Sequence, residues 1–160
     1  MKVFSRAVLI AFFALTALGQ ERPSRKPFTI VISTNVQTIE VASGVWIRVN
    51  LTNTSSRSLD TSANISDLTG TDPNFIFDVR DSDGNSVPKR VYEHPELATG
   101  RAILGRLIKP GASLTEDQDI SRLYDMSHPG AYVIQVSRRA SEFKKDGVVK
   151  SNKITVRIVP

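Results

Sequence analysis

Three stretches carry side chains whose types and spacing could do chemistry. Asp125, Ser127 and His128 stand almost side by side and are the residue types of a nucleophilic triad. Asp81, Asp83 and Asn85 occupy alternate positions in DSDGN, the opening spacing of a calcium-binding loop. Glu116, Asp117 and Asp119 form a second acidic group of the kind from which acid/base pairs are drawn. Each has a plainer reading. A triad must converge in space beside an oxyanion hole, and its serine usually sits on a G-x-S-x-G elbow, which occurs nowhere here. Both histidines, His94 and His128, precede proline, which biases them toward extended loop backbone. An EF-hand loop that starts at Asp81 wants glycine where Ser86 stands and an acid where Tyr92 stands. DSDGN therefore reads as a hairpin turn in which Asp83-Gly84 or Gly84-Asn85 accepts positive φ. If Leu114 to Ile120 is a strand, Asp117 and Asp119 share one face with Thr115 while Glu116 lies opposite, which is a solvated or edge-protecting arrangement. The chain has no cysteine and only two histidines, so thiol catalysis, thiol redox chemistry and cysteine-ligated zinc are excluded. No enzyme, cofactor or metal is expected.

The elements that must position these residues repeat with a period of two. Phe28, Ile30 and Ile32 alternate with Thr29, Val31 and Ser33; Val45, Ile47, Val49 and Leu51 alternate with Trp46, Arg48, Asn50 and Thr52. Phe75-x-Phe77-x-Val79, Tyr132-x-Ile134-x-Val136 and Ile154-x-Val156-x-Ile158 repeat the pattern. Such alternation sends one set of side chains into a core and the other toward water. The turns NTSSRS, DSDGNS and KPGAS close apolar runs. Weaker strands are expected near Gln37–Val41, Ser86–Val91, Ile103–Ile108 and Ser113–Ile120, and a helical turn near 94–100. The fold expected is all-β, a single antiparallel sandwich of about seven to nine strands.

The N-terminal 1–19 reads as a cleaved signal peptide: Lys2 and Arg6, then the uncharged run Ala7 to Leu18, then small residues before Gln20. That run is too short to span a bilayer, which takes about 20 apolar residues. The expected address is exported, periplasmic or extracellular, with 20–27 a basic tether and 28–160 the sandwich. The mature chain would carry 19 basic and 16 acidic residues. Without cysteines its fold must hold by burial and strand pairing alone. Asn50, Asn53 and Asn64 match the N-x-[ST] acceptor pattern, which matters only on a eukaryotic secretory route.

The order of signals, a strand ending in Leu51 to Ser55, then FDVRDSDGNSV, LIKPGASL and PGAYVIQV, resembles the immunoglobulin-like sandwiches of secreted bacterial proteins. It is also similar to the BsuPI-type proteinase inhibitors over roughly 28–160. The resemblance implies an immunoglobulin-like sandwich in which Asp125, Gly130 and Tyr132 form a structural corner. There Tyr132 bonds back to the preceding loop, and Ile134 stands where antibody domains carry a cysteine. It also implies, as a second reading, a proteinase inhibitor presenting loop 88–110 or 138–150; the N-P-T-T-G and R-P-W loops of chagasin-type inhibitors do not occur.

The main functional expectation is a non-catalytic binding module. From Arg138 to Arg157 the C-terminal hairpin holds seven basic and two acidic residues. Arg138, Arg139, Phe143, Lys144 and Lys145 are read as a basic loop with one apolar anchor for a protein or an anionic envelope polymer. Nucleic acid is disfavoured because no reader motif occurs. Trp46, the single tryptophan, is the other candidate: either packed under a loop or exposed beside Arg48 as a binding hot spot.

Overall fold

The structure, a computed structural model, describes residues 26–61, 63–65, 75–90, 102–104, 107–139 and 147–160. The strands are β1 (Phe28–Ser33), β2 (Thr38–Glu40), β3 (Trp46–Asn53), β4 (Leu59–Asp60), β5 (Ala63–Ile65), β6 (Phe75–Arg80), β7 (Ala102–Leu104), β8 (Leu107–Ile108), β9 (Ser113–Asp119), β10 (Gly130–Arg139) and β11 (Val148–Val159). A 3-10 turn, Ile120–Arg122, follows β9 and is capped by Asp119, whose carboxylate accepts from the Ser121 amide. Among the described residues there is no α-helix, and no helix long and apolar enough to cross a membrane.

Two sheets make the all-β body. One has the order β1-β3-β9 and the other β2-β11-β10-β6, with two-stranded pieces β4-β8 and β5-β7 beside them. The two larger sheets hold seven strands, within the range expected, but the arrangement is not purely antiparallel: β2 runs parallel to β11. The chain leaves the first sheet after β1 and joins the second as β2. Alternation fixes the core. Phe28, Ile30 and Ile32 of β1, Ile47, Val49 and Leu51 of β3, Phe77 and Val79 of β6, and Tyr132, Ile134 and Val136 of β10 are all buried in one cluster. Each such side chain removed from water contributes about 1.5–3 kcal/mol, set against the entropy of ordering it.

Ser86–Val91 does not form a strand as far as it is described. Ser86 and Lys89 make isolated bridges, to Arg80 and Tyr124, and Pro88 between them lacks the N–H a ladder needs. The run read as one strand over Ile103–Ile108 contributes to two, β7 and β8. The helical turn expected at 94–100, the signal peptide and most of the tether lie outside the described residues.

A bulge in β11 joins the sheets. Between Gln135↔Lys153 and Ser137↔Lys150, β10 advances two residues while β11 advances three. The extra residue breaks the period and re-aims the side chains around it. Ser151 turns inward, its Oγ accepting from the Val136 amide at 2.9 Å. Asn152 turns toward β1: its Oδ1 accepts from the Ile32 N–H and its Nδ2 donates to the Ile32 carbonyl, each at 2.9 Å. One side chain thus does for the edge of β1 what a neighbouring strand would do.

Candidate functional site

The corner at 125–132 is built from its own polar groups. The Tyr132 hydroxyl donates to the His128 carbonyl at 2.7 Å, and Gly130, with φ at 156°, begins β10. The Asp125 carboxylate accepts from the Ser127 amide and lies 3.8 Å from Arg90. Hydrogen bonds from Ser127 hold Asp125 below the ordinary aspartate range, while burial raises the Tyr132 hydroxyl. Sequence reasoning missed the neighbouring Tyr124, which is buried and donates to the Phe77 carbonyl at 2.5 Å, tying the same loop to β6. In DSDGN, Asp81 accepts from the Asp83 and Asn85 amides at 3.0 and 2.8 Å, and Gly84 has φ of 83°. Those amide bonds, that of Asn85 foremost, hold the Asp81 carboxylate below its ordinary range. The carboxylate is spent on closing the turn. Among the described residues no group of three or more acids and histidines is placed to hold a metal ion.

The basic hairpin divides into three parts. Arg138 is not in a loop: it is the penultimate residue of β10 and is 2% exposed. It continues the inward phase of Tyr132, Ile134 and Val136, and its guanidinium lies 5.7 Å from the centre of the Phe75 ring, with Nη2 donating to the Asp60 carbonyl at 3.5 Å. A residue so placed serves the core, and it is unavailable to a partner. Phe143, Lys144 and Lys145 lie outside the described residues. Arg139 takes the opposite phase and is exposed on the outer face of the four-stranded sheet.

On that outer face Arg139 has company. Lys153 and Arg157 sit opposite Gln135 and Ala131 of β10, and Lys150 opposite Ser137, all on the same side. In an unbroken strand Lys150 and Lys153, three residues apart, would point to opposite faces; the bulge brings them to one. Arg139, Lys150, Lys153 and Arg157 are exposed and make no ion pair among the described residues. The face also holds Arg80, paired with Asp78 at 3.1 Å, and Glu40 on the edge strand β2. Among the described residues its balance is therefore positive.

On the other sheet, Trp46 points outward and is 56% exposed. Next along the face, Arg48 clamps Asp117 through two bonds, Nε–Oδ1 at 2.8 Å and Nη2–Oδ2 at 2.9 Å. That pairing raises the Arg48 guanidinium and lowers Asp117 from their ordinary values. Trp46, Arg48 and Asp117 border an open cleft of about 470 Å³, walled by the β1–β2 crossing and the β2–β3 turn. The Thr34 hydroxyl donates within that crossing to the Val36 carbonyl, which fixes the wall. Ala42 in the turn has φ of 71°, uncommon for a residue with a Cβ.

No protein-family model matches the chain, and a search of curated proteins finds no match. Among solved structures it is similar to a β-glucosidase from Listeria innocua in complex with glucose, at 11% identity and a TM-score of 0.45. It is also similar to a β-glucosidase from Erythrobacter marinus, at 13% and 0.44. The alignments cover 83% and 82% of this chain but only 16% and 15% of the glucosidases, so the chain spans about a sixth of their length. A family 123 glycoside hydrolase from Clostridium perfringens aligns at 11% identity and a TM-score of 0.33, covering 84% of this chain and 27% of that one. Likeness this slight carries no argument about function.

Proposed function

We propose that this chain is an exported, non-catalytic binding module that takes an anionic partner, an acidic protein surface or an envelope polyanion, on the outer face of its four-stranded sheet. The observation that supports it is the row Arg139, Lys150, Lys153 and Arg157, four exposed cations on one face, with Lys150 brought into phase with the others by the bulge. An excess of like charge on one face raises the local concentration of an anionic ligand and speeds its encounter. The polar groups at the corner and in DSDGN are engaged in turn closure, which favours binding over catalysis at both. The loops a proteinase inhibitor would present, 88–110 and 138–150, lie largely outside the described residues, so no observation favours that reading.

The test compares retention on poly-glutamate and dextran sulfate columns for three proteins. They are the native chain, a variant with the four row residues changed to Glu, and a control with Lys26, Arg57, Lys89 and Lys109 changed to Glu. Both variants carry the same net charge. Retention that falls steeply with salt and is lost in the row variant alone supports the reading. Equal loss in both variants means that net charge, and not this face, does the binding. Comparing the two columns separates an acidic protein from a sulfated polymer as the preferred chemistry.

A further inference from the structure

The cleft beside Trp46 lies apart from the corner and from the row Arg139, Lys150, Lys153 and Arg157, meeting the four-stranded sheet only at its edge strand β2. We propose that it is a second binding site, for a neutral saccharide chain. The indole lies close against the β2–β3 turn. A Cβ at Gly44 would lie 2.7 Å from Trp46 Nε1 and 3.2 Å from Cδ1, so only glycine lets the pyrrole edge lie against the turn. The rest of the ring stays open to water, and its N–H makes no hydrogen bond among the described residues. An aromatic face carries negative quadrupole charge and attracts positively polarised C–H groups, which the flat side of a pyranose presents in a row.

The polar side of the cleft suits hydroxyls. The Arg48–Asp117 clamp uses Nε and Nη2 of the guanidinium, leaving further N–H donors on Arg48 next to further lone pairs on Asp117. A hydroxyl donates and accepts at once, so neighbouring hydroxyls match adjacent donors and acceptors. Thr38, Asn35 and Ser43 add uncharged polar groups at the rim. Charge argues against an anion. Glu40 and Asp117 outnumber Arg48 in the lining, and a ligand carboxylate would have to displace Asp117 from a pair already matched. The volume of about 470 Å³ lies within the range of small-molecule sites. A basic peptide seated on the indole is the competing occupant, and the octalysine titration below tests it.

Because Trp46 is the single tryptophan, its emission reports this cleft alone. The full chain is titrated with cellohexaose, maltohexaose, xylohexaose and chitohexaose, and separately with octalysine. The result expected is a saturable blue shift with at least one hexaose, its affinity changing by less than about twofold between roughly 0.05 and 0.5 M NaCl. By calorimetry, Trp46→Ala weakens that same hexaose at least about tenfold, as for a central aromatic anchor. Trp46→Phe keeps part of the affinity, and both variants retain the native circular dichroism and the native salt-dependent retention on polyanion columns. The proposal is overturned if none of the four hexaoses binds, if binding survives Trp46→Ala undiminished, or if octalysine alone shifts the emission. Retention on polyanions is read on the other sheet, so failure here is distinguishable from failure of the basic face.

Discussion

Replacing Asn152 by Ala tests whether one side chain closes the seam between the sheets. The substitution removes two hydrogen bonds, from the Ile32 N–H and to the Ile32 carbonyl, both at 2.9 Å. A neutral hydrogen bond contributes about 0.5–1.5 kcal/mol net. Ile32 itself is 2% exposed, so its backbone groups gain water only in part once the amide is gone. The expected loss is about 2 kcal/mol, two bonds at the middle of that range. For a domain of this size that corresponds to a fall in Tm of roughly 6–10 °C, or of about 1 M in the urea midpoint with the slope unchanged. The assay is urea unfolding followed by far-ultraviolet circular dichroism, with Asn35→Ala as an exposed control expected to stay within about 0.5 kcal/mol. Amide exchange at Ile32 should speed up in Asn152→Ala while the Leu51 and Ile134 amides keep their relative protection. A loss under about 0.5 kcal/mol, or an Ile32 amide as protected as in the native chain, would refute the reasoning.

Three further outcomes follow from the same geometry. Arg138→Glu should cost about 3–5 kcal/mol or prevent folding, because it sets a carboxylate in a buried site over the Phe75 ring. Arg139→Glu, one residue on and exposed, should leave the urea midpoint unchanged; equal effects of the two would contradict the placement of Arg138. Tyr132→Phe removes the hydroxyl's bond to the His128 carbonyl and should cost about 1 kcal/mol, read by the same unfolding assay. Asp81, Asp117 and Asp125 are all held below the ordinary aspartate value of 3.8, so the folded state keeps them ionised where the unfolded chain takes up protons. Their contribution to stability is complete above that value and is lost as pH falls through their folded values. In a carboxyl-carbon titration Asp117 should titrate below 3.8, and Arg48→Gln should bring it back up; an Asp117 midpoint already at the ordinary value in the native chain would contradict the clamp.

Much of the fold was legible because burial on one side of a strand imposes a period of two. β1, β3, β6 and β10 carry that period without interruption, and their inward residues are the ones expected. The same rule, carried two residues further, places Arg138 inward: it is in phase with Val136, and charge alone made it look like a loop residue. β4 and β5 are two and three residues long, too short for any period to register. The bulge at Ser151 and Asn152 was not legible either. It is a local break of period that takes its meaning from β10 on one side and Ile32 on the other, which are remote in sequence. For that reason Lys150 could be counted as charge but not assigned to the face of Lys153 and Arg157. Trp46 was legible as a residue out of phase with Val45 and Ile47; that Gly44 leaves room for its ring against a turn depends on a close approach no pattern encodes.

The central claim, that the outer face of the four-stranded sheet is where an anionic partner lands, is tested most directly by mapping amide shifts in the ¹⁵N-labelled chain titrated with a short poly-glutamate. The account predicts that the amides of Gln135, Arg139, Lys150, Lys153 and Arg157 move together, saturate together and fall silent at high salt, while Trp46, Arg48 and Thr115 on the other sheet stay still. Shifts confined to the three-stranded sheet, or spread evenly over every exposed Lys and Arg, would contradict it.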